Sequence, residues 1–161
     1  QKNIDEIIAV EDEELIVNFL DILENHKMLV ENSGLLTVAA LKHLDCKGKR
    51  VVSILSGGNM DIITLSSVVQ HGLIARGRVF TVAVQLPDRP GELVNVADII
   101  AKEKGNVIRL EHNQFVSINR NAAVELRITL EAFGQEHKNE ILKALRDKGY
   151  DAKEETPTGM Y

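Results

Sequence analysis

The sequence predicts an α/β protein in two parts: mixed α/β pieces over residues 1–75, then a βαββαβ sandwich of the ferredoxin type over residues 76–161. Three observations carry this. Arg50-Val51-Val52-Ser53-Ile54-Leu55 is a near-continuous apolar run, the pattern of a strand buried on both faces of a parallel sheet. Composition then shifts at 72–78, where Gly72, Arg76, Gly77 and Arg78 mark a hinge or domain edge. Beyond that point, alternating strand-like runs are interleaved with two amphipathic runs in the order of a split βαβ unit.

The elements follow in order. Ile7 to Val10 is predicted as a short strand, and Glu11 or Asp12 opens a helix with Leu15, Phe19, Ile22 and Leu23 on one face. His26 to Val30 ends it, and Ser33-Gly34 punctuates the chain. A second helix is expected from Leu35 to Leu44, the buried strand over 50–55, and a third helix from Asp61 to Gln70. In the second part, Arg78 to Leu86 alternates as a strand. Leu93 to Lys104 reads as a helix with Val94, Ala97, Ile100 and Ala101 toward a sheet, and Gly105 stops it. A second strand begins at Val107. Asn119-Arg120-Asn121 reads as a turn, and Ala122 to Phe133 as a third strand with Val124, Leu126, Ile128 and Leu130 on one face. Ile141, Leu142 and Leu145 mark a helix ended by Gly149. Tyr150 to Glu154 is expected as an edge strand and Thr156 to Tyr161 as a frayed tail.

Composition bounds the function. The chain has 161 residues and 44% hydrophobic residues, but only 4% aromatics and no Trp, so Val, Ile, Leu and Ala must build the core. A formal charge of −5 without a dense Lys/Arg run argues against nucleic acid. No apolar stretch approaches the ~20 residues of a membrane span. Cys46 is alone, which excludes an internal disulfide, disfavours a cysteine-based zinc site and makes a reducing cytoplasm the default. Gln1 is neither an initiator nor the start of a signal peptide, and the chain is expected to be a piece of a longer protein.

Asp88-Arg89-Pro90-Gly91-Glu92-Leu93 lies between the first strand and the first helix of the second part. Pro90 suits a first helical turn, Asp88 can cap it, and Gly91 admits a close neighbour. Such a helix start attracts carboxylates and other anions, which points to a sensor of a small acidic or zwitterionic molecule. Ser56-Gly57-Gly58-Asn59 sits after the buried run, where open α/β sheets bind ligands. The residues alone leave it open as a plain glycine-rich turn, and leave Glu31 open as a solvated loop charge. Glu111 and His112 are adjacent and face opposite ways on a strand, so they form no dyad. His112 and His137 read as structural hydrogen-bonding groups, and His26, His43 and His71 lack metal-ligand spacing. Neither Lys27 nor Lys42 has the apolar setting of a Schiff-base lysine.

The segment Val52-Ser53-Ile54-Leu55-Ser56-Gly57-Gly58-Asn59-Met60-Asp61 resembles the end of the catalytic domain of threonine dehydratases (threonine ammonia-lyases), which are fold-type II pyridoxal-phosphate enzymes. Val10 to Leu15 and Val30 to Gly34 are similar to the last third of that domain. Val84 to Leu93, Asn106 to Ile108, Glu111-His112 and Glu131 to His137 resemble the ACT regulatory domain of the members that carry a single ACT domain. The resemblance covers essentially the whole chain.

It implies a division at 1–75, the closing piece of a cofactor-binding catalytic domain, and 76–161, an ACT domain. It implies that Ser56 hydrogen-bonds the pyridine nitrogen of pyridoxal phosphate, with Gly57 and Glu31 beside the cofactor, although Asn32-Ser33 departs from the commoner small residues there. The family's Schiff-base lysine and phosphate loop lie upstream of anything present, so the chain is expected to retain neither the cofactor nor catalysis by itself. The parent reaction would convert L-threonine to 2-oxobutanoate and ammonia. The resemblance also implies an amino-acid effector, isoleucine or valine ahead of a nucleotide, at Asp88, Arg89, Pro90, Gly91, Glu92, Leu93 and Asn106, and a cytoplasmic homo-oligomer paired through ACT edges. Two alternatives stand beside it. One is a free-standing, non-catalytic binding and dimerisation module. The other is the regulatory part of a serine dehydratase or racemase.

Overall fold

A computed structural model describes residues 6–113 and 124–155. The chain forms two compact units, Gln1–Ala75 and Arg76–Tyr161. The turn expected at 119–121 and the tail from Thr156 lie outside the described residues.

The first unit is helical. Helix α1 runs Asp12–His26, α2 runs Asn32–Ala39 and continues as a 3₁₀ turn over Ala40–His43, and α3 runs Ile62–Ala75. Glu11 takes the N-cap of α1, and its backbone N–H donates to the Glu14 carboxylate at 3.1 Å, half of a capping box. Asp12, Glu13 and Glu14 place negative charge at the positive end of the helix dipole. Lys27 closes α1 in the left-handed conformation, with its N–H on the Leu23 carbonyl. Leu15, Phe19, Leu20 and Ile22 then bury one stripe against Val30, Leu35 and Ala39.

Two strand expectations fail here. Neither Ile7–Val10 nor Arg50–Leu55 forms a strand. Val52 and Ile54 are 88% and 73% exposed, and no described strand lies beside them to complete a ladder. A strand exists through its partners, and an apolar run does not create them. The run is tied instead by Thr37, whose hydroxyl donates to the Ile54 carbonyl at 3.1 Å. The second helix starts at Asn32 rather than Leu35, and Gly72 lies inside α3 rather than in a hinge. A Cβ on Gly72 would lie 2.5 Å from Leu20 Cδ1, so its bare backbone permits close approach of α3 to α1.

The second unit contains β1 (Val79–Leu86), α4 (Glu92–Lys102), β2 (Asn106–Asn113), β3 (Val124–Glu131), α5 (Gln135–Asp147) and β4 (Asp151–Glu155). Its four antiparallel strands stand in the order β2-β3-β1-β4, the ferredoxin-like arrangement of a βαββαβ chain. Register places Val84 between Leu126 and Ala152, and Val82 opposite Ile128. These residues, with Phe80 and Leu130, form the face that α4 and α5 cover through Val96, Ile100, Ile141, Leu142 and Leu145. The opposite face is polar. There the Thr81 and Thr129 hydroxyls bond across strands at 2.9 Å, and Arg127 pairs with Glu125 and Glu155.

The alternation expected for the third strand holds, since Val124, Leu126, Ile128 and Leu130 are all buried. The expected face of α4 is corrected. Val94 is 68% exposed, Ala97 and Ala101 also face water, and Val96 and Ile100 carry the packing. Gly91 sets this phase. Its positive φ of 96° lets the helix begin at Glu92, and the i, i+4 pair Val96–Ile100 turns inward. His137 fastens the end of β3 to the end of α4. Its Nδ1 accepts the Phe133 N–H at 3.0 Å, and its Nε2 faces the Glu103 carbonyl, the structural role expected of it.

Candidate functional site

Two groups of residues singled out from the sequence are brought together, one in each unit. In the second unit, β1 ends at Leu86 and the chain turns before α4. The Arg89 N–H closes the turn on the Pro87 carbonyl at 2.8 Å. Two local expectations are corrected. Pro90 lies before the helix rather than in its first turn, and Asp88 does not cap it, because Gly91 occupies the N-cap. Glycine has no side-chain oxygen to offer, so no side chain of the cap satisfies the first N–H groups of α4.

The turn forms one wall of a cavity of about 320 Å³. Asp88, Arg89, Pro90, Gly91, Glu92 and Leu93 all line it, with Leu86 and Val124 from the adjoining strands. Leu86 and Val124 are register partners, so the cavity opens where β1 and β3 meet the turn. His112 is a further lining residue that the reading of the sequence treated as structural. It pairs with Leu126 near the far end of β2, on the helix-covered side of the sheet. The alternation Leu110, His112 was the available signal.

Asn106 does not join this group. It sits at the other end of β2, opposite Glu131, and its Nδ2 donates to the Glu131 carboxylate at 3.2 Å. Within one chain the polar position expected beside the turn is therefore spent on a cross-strand contact.

Glu92 is held from outside the turn. The Tyr150 hydroxyl donates to its Oε2 at 2.9 Å. Burial, and then the Glu92 carboxylate itself, hold the phenol above its ordinary value of 10.0. The sign follows. The neutral phenol is favoured in the folded state, so its stabilisation is full below pH ~10 and is lost as pH rises through the raised value. Thermal unfolding of the wild type and Tyr150→Phe should therefore differ most at neutral pH and converge above about pH 10. A constant difference to high pH would contradict this coupling.

In the first unit, Glu31 lies against the Ser56-Gly57 segment. The Glu31 N–H donates to the Gly57 carbonyl at 3.3 Å, and the Ser33 hydroxyl donates to Glu31 Oε1 at 2.7 Å. Gly57 has a φ of 77°, and a Cβ there would stand 2.3 Å from Glu31 Oε1. A Cβ on Gly34 would stand 1.7 Å from the Ser56 carbonyl oxygen. Two glycines thus let the start of α2 and the Ser56 loop interlock. Ser56 is exposed beside Gly57 and Gly58, and the Glu31 side chain packs over Gly57. Among the residues of this group, nothing supplies a phosphate cradle. Further along the unit, Asp61 caps α3 through the Ile63 and Thr64 N–H groups, and the hydrogen bonds from Thr64 hold its carboxyl below the usual range. No group of three or more His, Cys, Asp or Glu able to hold a metal occurs among the described residues, and none of the described helices is long and apolar enough to cross a membrane.

No family model matches the chain. It is 39% identical over 150 residues to an L-threonine ammonia-lyase of Geobacter sulfurreducens, covering 91% of this chain and 37% of that protein. It is 34% identical over 154 residues to an L-threonine ammonia-lyase of Thermotoga maritima, covering 95% and 38% respectively. A biosynthetic L-threonine dehydratase of Pasteurella multocida is 31% identical over 157 residues, covering 94% of this chain and 29% of that one. The chain therefore spans well under half of these relatives. Among solved structures, the regulatory subunit of aspartate kinase from Thermus flavus is similar at 18% identity and a TM-score of 0.40, over 49% of this chain and 52% of that one. The strand order, not this weak likeness, establishes the ferredoxin-like fold.

Proposed function

We propose that this chain, homologous along more than nine tenths of its length to L-threonine ammonia-lyases, is the C-terminal regulatory portion of such an enzyme. Residues 76–161 act as an ACT domain that binds an amino-acid effector, with isoleucine or valine favoured. Residues 1–75 are the closing piece of the pyridoxal-phosphate-binding catalytic domain. The carrying observation is the cavity at the β1–α4 turn of a ferredoxin-like sandwich, where backbone N–H groups, carboxylates and apolar side chains converge.

The parent reaction is the conversion of L-threonine to 2-oxobutanoate and ammonia. In the parent, Ser56 would hold the pyridine nitrogen of the cofactor, and Glu31 with Gly57 would close the site beside it. When bound, the cofactor supplies an electron sink for elimination. A neutral hydroxyl, rather than a carboxylate, leaves its nitrogen largely unprotonated. The exposed residues Val52, Ile54, Ile62 and Ile63 support the reading of the first unit as part of a larger domain. The chain alone is inactive in this reading.

The effector binds with its carboxylate at the start of α4 and its aliphatic group toward Leu86, Leu93 and Val124. Strand β2 is an edge with Val107, Ile108 and Leu110 partly exposed, which supports a homo-oligomer paired through this domain. Isothermal titration of the chain with isoleucine, valine and an adenine nucleotide tests the reading. Saturable binding of a branched-chain amino acid, with a rise in melting temperature, is expected. Binding of the nucleotide alone would overturn the effector assignment.

A further inference from the structure

We propose that Tyr150, which lines the neighbouring groove between α4 and α5, acts as a positioning residue for the cavity at the β1–α4 turn, holding the Glu92 carboxylate where it reads the ammonium group of an amino-acid ligand. The proposal rests on the reading of that cavity as an effector site. A zwitterion carries its carboxylate and its ammonium on one carbon, so a site for it needs donors and an acceptor close together. Glu92 is the first residue of α4, directly beside the backbone groups that would take the carboxylate. Asp88 is the other acidic residue of the wall, but it is exposed on the loop. Glu92 is partly buried, rooted in a helix and anchored by one oxygen, with Oε1 left for a second donor.

The anchor comes from far along the chain. Tyr150 stands 58 residues later, between α5 and β4, and its ring packs against the core of the sandwich. The ring fixes the position of the phenol oxygen, and the phenol fixes the carboxylate. A flexible glutamate must otherwise be ordered when the ligand binds, which weakens affinity.

Calorimetric titration of the whole chain with L-isoleucine and L-valine, each beside its desamino analogue (3-methylpentanoate and 3-methylbutanoate), tests this. The analogues keep the side chain and carboxylate and lack only the ammonium. Tyr150→Phe should weaken the amino acids about five-fold and leave the analogues unchanged. Glu92→Gln should do the same, and Tyr150→Phe/Glu92→Gln should be no weaker than Glu92→Gln alone. Equal weakening of amino acid and analogue by Tyr150→Phe, or no weakening of either, would overturn the proposal while leaving the effector site standing. Failure of the wild type to bind either amino acid would remove the effector reading and this proposal with it.

Discussion

Gly34→Ala is expected to destabilise the chain by about 3 kcal/mol, the upper end of the overpacking range. In an ordinary helix interior the same change stabilises by up to about 1 kcal/mol, because alanine is the better helix former. The sign reverses here because Gly34, in the first turn of α2, faces the Ser56 loop. A Cβ would sit 1.7 Å from the Ser56 carbonyl oxygen and 2.8 Å from Val30 Cγ1. The first neighbour is backbone, so relief requires the loop to move away from the helix. That movement would also part Glu31 from Gly57 and break their 3.3 Å hydrogen bond. Thermal unfolding, with hydrogen exchange at Glu31 and across 53–58, is the check. A raised melting temperature with unchanged exchange would refute the interlock.

Leu126→Ala should cost about 3–4 kcal/mol, as expected for a large side chain removed from a closed core. Leu126 is fully buried on β3, opposite Val84 on β1 and His112 on β2. Its loss leaves a void directly behind the strand pair Leu86–Val124 that floors the turn cavity. The variant should therefore lose effector binding along with stability. Val94→Ala is the informative control, because the sequence pattern alone places Val94 against the sheet. At 68% exposure it should change stability by less than about 0.5 kcal/mol.

The second unit was legible because its elements are specified locally. Val124, Leu126, Ile128 and Leu130 alternate without interruption, and glycines or turns bound each element, so the strand–helix order follows from periodicity. The first unit was not legible in the same way. Arg50–Leu55 has the composition of a central strand, but a ladder depends on neighbours that composition does not encode. The residues of the Asp88–Leu93 turn line one cavity, but the mechanics of the turn differ from the expectation. Pro90 and Asp88 both suit a helix start, and only the positive φ at Gly91 decides that the helix begins one residue after it. The placements of His112 and Tyr150 arise from strand register and from a contact across 58 residues, which periodicity does not reveal. Gly34 and Ser56 illustrate the same limit, since their contact joins a helix start to a loop that no periodicity links.

The most direct measurement is an ¹⁵N-resolved titration of the chain with L-isoleucine and L-valine. Saturable shifts are expected at Asp88, Arg89, Gly91, Glu92 and Leu93, with His112 and Val124, and none at Asn106. Shifts confined to the groove between α4 and α5, where Asn95, Asp98 and Lys102 face Lys148, or no shifts at all, would contradict it.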